Sequence, residues 1–313
     1  MRLAAIDVGT NSTKLIVADV SGDGALTIVS EQAEVTRLGE GVDATRRLSD
    51  AAQARTLEAI SRFAEDARQL GAVEVLGAGT SALRDAENGS DFLADVVNDA
   101  GVEIEIISGD REAQLAFFAV ASDPSLGLSA SDPLLVFDIG GGSTELILGS
   151  GLGVGRHRSL DVGAVRLTER FLRSDPPTAS ELAQAAAYAR DALNAFSAPD
   201  LTPRVMGIGG TALNVAAVTL GLTKPDPAAV HALSVSHADV AAALTRFQSV
   251  PLAGRRVIPG LEPKRADVIV AGALLLDALL THLRADHFTL SARGLRYGLL
   301  AEYAKSRQGS QGH

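Results

Sequence analysis

The residues best suited to chemistry lie in two short segments that repeat one pattern. Residues 7–16 (DVGTNSTKLI) and residues 138–147 (DIGGGSTELI) each begin with aspartate, pass through glycine and small hydroxylated residues, and end in an apolar run. Glycine lets a backbone approach an anion closely, hydroxyl groups add donors, and aspartate at a strand end can hold a divalent cation. The repeat therefore predicts two phosphate-binding loops facing each other, with these candidates: Gly9, Thr10, Asn11, Ser12, Gly140, Gly141, Gly142, Ser143 and Thr144.

Apolar runs on both sides of each segment predict a strand, a tight turn and a second strand. After each hairpin the pattern indicates a third strand and then alternating helices and strands, including a helix capped by Ser49 and a helix from Asp110 to Ala121. A third glycine-rich turn at residues 207–211 precedes a helix from Ala212, and it suits either anion binding or close packing. It adds three candidate phosphate-binding residues: Gly209, Gly210 and Thr211. The fold class is therefore predicted to be α/β with two domains of similar plan.

Composition limits the classes of protein that this chain can belong to. Its 313 residues are 46% apolar and 21% charged, which is typical of a globular protein of about two domains. It has no cysteine, which excludes disulfides and thiolate chemistry and agrees with a cytoplasmic protein. The chain enters its first strand directly after Met1 and Arg2, so no signal peptide is expected. The longest apolar run, Val268 to Leu280, is too short to span a bilayer and predicts a buried helix.

The net charge of −10 would repel a polyanionic ligand, so local donors and bound cations must attract it. Four basic clusters are interpreted as solvated surface pairs: Arg46 with Arg47, Arg166 with Arg170, Arg255 with Arg256, and Lys264 with Arg265. The chain has no basic stripe and only 4% aromatic residues. A nucleic-acid partner is therefore not expected.

Several motifs together resemble the exopolyphosphatase and guanosine pentaphosphate phosphatase family. The resemblance runs from residue 3 to about residue 304 and is carried by five segments: residues 5–12, 79–86, 107–113, 138–146 and 207–211. Motifs in a fixed order are far more specific than one glycine turn. The resemblance implies two ribonuclease-H-like domains, as in the actin, hexokinase and 70-kDa heat-shock ATPase superfamily, with a cleft between them. The expected domains are residues 1–124, joined by a helix at about 295–304, and residues 125–294, followed by a flexible tail at 305–313.

The resemblance also implies roles for single residues. Glu112 falls where the family has the carboxylate that activates water, and Arg84 matches its phosphate-binding arginine. Arg111 stands where the family usually has another acid, and we expect it to alter affinity or metal demand. An acid in the first turn of a helix is favoured without any catalytic role, so the assignment of Glu112 depends on the resemblance.

Asp138 is the main candidate ligand for Mg²⁺, or for Mn²⁺ in its place, with Asp7 and Glu145 as further candidates. Asp7 could instead cap its turn. Arg84 could instead pair with Asp85 or Glu87. The repetition of aspartate at both hairpins favours a site.

The expected function is that of an exopolyphosphatase, which hydrolyses the terminal phosphoanhydride bonds of inorganic polyphosphate and releases orthophosphate. Short chains are the expected substrate, because longer relatives add a helical C-terminal region whereas this chain stops soon after Tyr303, and because the net charge is acidic. The nearest alternative is a phosphohydrolase of guanosine pentaphosphate (pppGpp), a nucleotide of the stringent response. A polyphosphate-dependent kinase and a non-catalytic sensor of polyphosphate or an alarmone are other classes. Homodimerisation is typical of the family, and no membrane partner is expected.

Overall fold

The structure, a computed structural model, describes residues 1–21, 25–199 and 202–310. The strands are β1 Arg2–Val8, β2 Thr13–Val20, β3 Leu26–Glu34, β4 Glu74–Gly79, β5 Ile104–Ile106, β6 Pro133–Ile139, β7 Thr144–Ser150, β8 Gly153–Leu160, β9 Arg204–Ile208, β10 Ser234–Ser236 and β11 His287–Leu290. The α-helices are α1 Val42–Thr45, α2 Asp50–Gln69, α3 Ser81–Asp85, α4 Gly89–Ala100, α5 Gly109–Ala121, α6 Ala164–Phe171, α7 Ala179–Leu193, α8 Gly209–Thr219, α9 Pro227–Val230, α10 His237–Gln248, α11 Leu252–Arg255, α12 Ile269–Leu283 and α13 Leu295–Ser310.

The chain divides into two compact units. Unit 1 comprises Met1–Ala119 and the C-terminal segment from Arg293, and unit 2 comprises Val120–Ala292. The sheet of unit 1 has the order β3-β2-β1-β4-β5, antiparallel from β1 to β3 and parallel from β1 to β5. The sheet of unit 2 repeats this plan as β8-β7-β6-β9-β11 and adds β10 as an antiparallel edge strand. The predicted α/β class is confirmed, and the repeat extends from the hairpins to the whole sheets.

The sheet of unit 1 is covered on both faces because side chains alternate along its strands. Leu15 and Val17 on β2 lie in the same buried cluster as Phe63 of α2. The intervening Ile16 lies in a separate cluster with Leu300 of α13. The strands of the hairpin are therefore held between α2 on one face and α13 on the other.

The core of unit 2 is built around α12. This helix is buried along most of its length and contacts α6, α7, α8 and α10. The buried helix predicted from the apolar run is therefore confirmed. Phe137 of β6 and Phe288 of β11 pack edge to face, with ring centroids 5.3 Å apart. Within the described residues, no helix combines the length and apolar character needed to cross a bilayer.

Two helices extend beyond their predicted bounds, α13 at its C-terminal end and α8 at its N-terminal end. Residues 305–310 of the expected flexible tail continue α13, where Nη2 of Arg307 donates to the Tyr303 hydroxyl one turn earlier at 2.7 Å. Residues 311–313 of that tail lie outside the described residues. The helix expected from Ala212 begins at Gly209, because a glycine at φ +82° lets the chain turn directly from β9 into α8.

The glycine-rich segment from residue 77 to residue 84 is strand β4 as far as Gly79 and then helix α3. The glycines of β4 allow neighbouring side chains to pack closely against the strand and do not form a turn. A Cβ on Gly77 would lie 2.3 Å from Cδ1 of Ile104, and one on Gly79 would lie 2.4 Å from Cδ1 of Leu83. Glycine composition alone does not distinguish these two uses.

A polar cluster in unit 2 joins the segment after α5 to the last residue of the unit. Nδ1 of His231 accepts a hydrogen bond from the Ala292 N–H at 3.1 Å, so the neutral ring carries its proton on Nε2, 2.8 Å from the Ser125 hydroxyl. That hydroxyl donates to Oδ1 of the buried Asp123 at 2.6 Å. In a hydrolase triad the carboxylate and the serine lie at opposite ring nitrogens. Here both lie on the Nε2 side, so the cluster is structural.

We therefore expect His231→Phe to destabilise the protein without affecting its chemistry. The substitution leaves the Ala292 N–H and the Ser125–Asp123 pair without their partner, which should lower the free energy of unfolding by about 1–3 kcal/mol. Urea unfolding followed by circular dichroism measures this change. His287→Phe is the matched control, because His287 is exposed on β11. Equal stability of the two variants would contradict the assignment.

Candidate active site

The two glycine-rich segments form the same turn. In unit 1, the Gly9 N–H donates to the Ser12 carbonyl at 3.1 Å, and in unit 2 the Gly140 N–H donates to the Ser143 carbonyl at 3.0 Å. The strands on either side are paired in equivalent register, so that each starting aspartate lies opposite the second residue of the returning strand. We call residues 9–12 loop 1 and residues 140–143 loop 2. The predicted duplication of the hairpin is confirmed at the level of single hydrogen bonds.

Three carbonyl groups of loop 2, those of residues 140–142, face the start of α6. The first-turn N–H groups of α6 donate to the Gly140 and Gly141 carbonyls at 2.9 Å, and Nε of Arg166 donates to the Gly142 carbonyl at 2.9 Å. In a trans peptide the N–H points opposite to the preceding carbonyl. The N–H groups of Gly141, Gly142 and Ser143 therefore point away from α6, side by side, as an anion-binding backbone requires.

Loop 1 is oriented in the same way by the segment that follows β3. The Gly39 N–H donates to the Thr10 carbonyl at 2.9 Å, and the Arg37 N–H donates to the Asn11 carbonyl at 3.1 Å. The N–H groups of Asn11 and Ser12 consequently point away from this segment. In each unit, a following segment thus donates hydrogen bonds to the loop carbonyls, and the loop N–H groups point to the opposite side.

A side chain of loop 1 adds a donor that lacks an acceptor. Nδ2 of Asn11 is buried and has no hydrogen-bond partner within the described part of the chain. A buried donor left unpaired costs about 1–3 kcal/mol, so such groups in native proteins usually serve a ligand or water. Beside it, the Thr10 hydroxyl lies 2.7 Å from the Ser81 hydroxyl of α3. Asn11 is therefore the best placed side chain of loop 1 for binding an anion.

Two further glycines support the loops, and the sequence analysis missed them. A Cβ on Gly39 would lie 2.2 Å from Cγ2 of Thr10, and a Cβ on Gly163 would lie 2.4 Å from the Gly141 carbonyl oxygen. Each glycine follows the third strand of its unit and lets the next segment lie against the loop. The signal was available in the sequence, since Leu38-Gly39 and Val162-Gly163 occupy the same place in the two repeats.

We expect Gly163→Ala to displace loop 2 and reduce activity, because the added methyl group would meet the loop backbone and not a side chain that can move away. The measurement is the rate of phosphate release, with circular dichroism to confirm folding. Gly155→Ala is the matched control, since a Cβ there would be 3.5 Å from the nearest atom, an ordinary contact. Full activity of Gly163→Ala would contradict the role given to the close approach of α6.

The two residues assigned to catalysis lie together in unit 1. Nη1 of Arg84, at the end of α3, lies 2.8 Å from Oε2 of Glu112 in the first turn of α5. The same nitrogen donates to the Ile107 carbonyl at 2.9 Å. Both side chains remain partly accessible, with 22% of Arg84 and 15% of Glu112 exposed. The pair offers a cation for phosphate oxygens beside a carboxylate that can accept a proton.

The candidate metal ligands differ between the two units. Asp138 and Glu145 lie directly opposite each other on β6 and β7, so their side chains share one face of the sheet. In unit 1 a cation takes the place of the glutamate, since Nζ of Lys14 lies 3.4 Å from Oδ2 of Asp7. Within the described residues, no group of three or more acidic or histidine side chains forms a complete metal site. Asp138 and Glu145 suit Mg²⁺, which commonly takes one or two carboxylates together with substrate phosphates and water.

The start of α8 lies against Asp138. A Cβ on Gly209 would be 2.1 Å from Oδ1 of Asp138, and a Cβ on Gly210 would be 2.4 Å from Cζ of Arg265. Thr211 uses its hydroxyl to donate to the carbonyl of the residue after Asp138, at 2.9 Å. Burial lowers the pKa of the Arg265 guanidinium, and the charge of Asp138 opposes this shift. In this structure the predicted turn thus places a helix N-terminus and an arginine beside Asp138.

The interpretation of the basic clusters as solvated pairs is wrong for three arginines. Arg166 is buried against loop 2, Arg265 is half-buried against Gly210, and Arg255 is buried with Nη2 2.9 Å from Oδ1 of Asp175. The acceptors of Arg166 and Arg255, at Gly142 and Asp175, lie 24 and 80 residues away, so local composition did not reveal them. The remaining members of the clusters are exposed: Arg46, Arg47, Arg170, Arg256 and Lys264.

A doubled glycine loop with aligned amides, together with a paired arginine and glutamate, suits an enzyme that transfers phosphoryl groups to water. Comparison with known families gives the particular family. The model of the Ppx/GppA phosphatase family matches residues 15–307, and the chain belongs to this family. The predicted resemblance is confirmed.

Individual relatives match over nearly the whole chain. Exopolyphosphatase 2 of Mycobacterium tuberculosis is 38% identical, over 97% of this chain and 98% of the relative. Guanosine-5′-triphosphate,3′-diphosphate pyrophosphatase of Photobacterium profundum is 29% identical, over 96% of this chain and 58% of the relative. The crystal structure of the Aquifex aeolicus Ppx/GppA family member superposes with a TM-score of 0.80 at 30% identity, over 100% of this chain and 99% of that one.

Proposed function

We propose that this protein is an exopolyphosphatase that releases orthophosphate from the ends of inorganic polyphosphate. The observation that carries the proposal is the contact between Arg84 and Glu112, 2.8 Å apart and both partly accessible. It combines the two groups that hydrolysis of a phosphoanhydride needs beyond phosphate binding: a charge for the oxygens of the reacting phosphate and a base for water. The similarity of the chain to a relative named as an exopolyphosphatase supports polyphosphate as the substrate.

In the proposed reaction, the amides of loops 1 and 2 donate to nonbridging phosphate oxygens, and Arg84 binds the terminal phosphate. Glu112 takes a proton from a water molecule as the water oxygen bonds to the terminal phosphorus. The bond from that phosphorus to the bridging oxygen breaks, and the shortened chain leaves with the electron pair. Because the transition state is stabilised mainly by positioning and charge, no covalent intermediate on the protein is required.

A divalent cation, for which we propose Mg²⁺ or alternatively Mn²⁺, would be held by Asp138 and Glu145. When bound, it would neutralise charge on the phosphate oxygens. Asp7 suits this role less well, since Lys14 already matches its charge. Glu145 is itself fixed on β7 by the Ser159 hydroxyl of β8, which donates to Oε1 at 2.9 Å.

Short polyphosphates are the proposed substrates because the net charge of −10 disfavours long polyanions. Guanosine pentaphosphate is the alternative, supported by the relative from Photobacterium profundum, whose name includes this nucleotide. Both substrates end in a phosphoanhydride, so the same groups would act on either one. A cytoplasmic location is part of the proposal, and homodimerisation stays a prediction.

The test is to measure orthophosphate release with Mg²⁺ from tripolyphosphate, long-chain polyphosphate and guanosine pentaphosphate in parallel. Glu112→Gln keeps the size of the side chain but cannot accept a proton, so kcat should fall by about 10²–10⁴ while the fold is retained. Glu58→Gln, at an exposed position of α2, is the matched control and should behave as wild type.

Four outcomes of this test are informative. Preferred release from tripolyphosphate that Glu112→Gln abolishes supports the proposal, and preferred release from guanosine pentaphosphate favours the alternative substrate. Unchanged turnover in Glu112→Gln would contradict the role given to this residue. Loss of release when divalent cations are chelated would support the metal requirement.

A further inference from the structure

Arg111, next to Glu112 in the first turn of α5, is paired with the C-terminal helix. Its Nη1 donates to Oε1 of Glu302 at 2.5 Å, and its Nη2 donates to Oε2, so the two side chains form a two-point ion pair. This hydrogen bonding raises the pKa of Arg111. Such paired contacts fix orientation as well as charge. The guanidinium of Arg111 is therefore directed towards α13.

A close contact of the two helices fixes the geometry of this ion pair. A Cβ on Gly298 of α13 would lie 2.2 Å from the Leu115 carbonyl oxygen of α5, so the helix backbones nearly touch there. Arg111 precedes Leu115 by four residues, and Glu302 follows Gly298 by four residues. Residues four apart lie on the same face of a helix. The backbone contact and the ion pair are thus successive contacts between antiparallel faces of α5 and α13.

The start of α5 is consequently held from two sides. On one side, Arg84 donates to Glu112 and to the Ile107 carbonyl just before the helix. On the other side, Arg111 binds Glu302. Adjacent residues on a helix point about 100° apart, so the two contacts restrain the first turn in different directions.

We infer that Arg111 and Glu302 are positioning residues that set the place of the Glu112 carboxylate relative to Arg84. This inference rests on the proposed function. The ion pair is about one-third to one-half exposed, with 34% of Arg111 and 44% of Glu302 accessible, and pairs of this kind contribute little to global stability. Its loss should therefore leave the fold intact. A displacement of about 1 Å at a reacting group can nevertheless cost about 10²-fold in rate.

The experiment compares wild type with Arg111→Gln, Glu302→Gln and the exchange variant Arg111→Glu/Glu302→Arg. We expect each single variant to lower kcat on the order of tenfold with KM nearly unchanged, and the exchange variant to recover most of the loss, as coupled pairs do. Arg307→Gln, an exposed arginine of α13, is the matched control. A rise in KM for Arg111→Gln with no effect of Glu302→Gln would overturn the inference, because it would mean that Arg111 binds substrate directly.

A second readout needs no substrate, so it separates failure of this inference from failure of the proposed function. Hydrogen exchange of the peptide covering residues 105–118 reports how firmly the first turn of α5 is held. Both single variants should exchange faster there, and the exchange variant should return towards wild type. Unchanged exchange in both single variants would overturn the inference whatever the substrate is. Absence of phosphate release in wild type, with the expected exchange pattern, would contradict only the proposed function.

Discussion

The organisation of the site depends on the antiparallel arrangement of C=O and N–H in a trans peptide. Where successive carbonyls of a loop are bound on one side, the amides that follow them must point to the other side. In loop 2 the carbonyls are bound by α6 and Arg166, and in loop 1 by the segment at residues 37–39. Both arrangements need a glycine at the point of closest approach, at Gly39 and at Gly163. The proposed phosphate-binding amides are thus oriented by hydrogen bonds on the opposite face of each loop.

The same sheets carry the charged groups. The register of each hairpin places an aspartate opposite a charged residue of the next strand. This residue is Lys14, opposite Asp7, in unit 1 and Glu145, opposite Asp138, in unit 2. One substitution within a repeated hairpin therefore gives the two halves different electrostatics, a neutral pair in one and a pair of carboxylates in the other. In unit 1 the proposed general base, Glu112, lies elsewhere, at the start of α5, where Arg84 from α3 contacts it.

Sequence reasoning identified what is local or repeated and missed what is brought together by tertiary packing. The hairpins, their turn residues and the buried helix α12 follow from periodicity and glycine placement, and Arg84 with Glu112 follow from the family motifs. The partner of Arg111 could not be found in this way, because Glu302 is 191 residues away. The burial of Arg166 and Arg255 was missed for the same reason, because their acceptors lie 24 and 80 residues away. The packing of the β4 glycines against Ile104 and Leu83 leaves no local signal either.

The central claim is that the loop amides bind phosphate, and amide chemical shifts test it most directly. Two-dimensional ¹⁵N–¹H spectra of Glu112→Gln with Mg²⁺ would be recorded as tripolyphosphate is added, since this variant should leave the ligand intact. The largest shift changes are expected at the N–H groups of Asn11, Ser12, Gly141, Gly142 and Ser143. Binding of tripolyphosphate with these five signals unmoved would contradict the account.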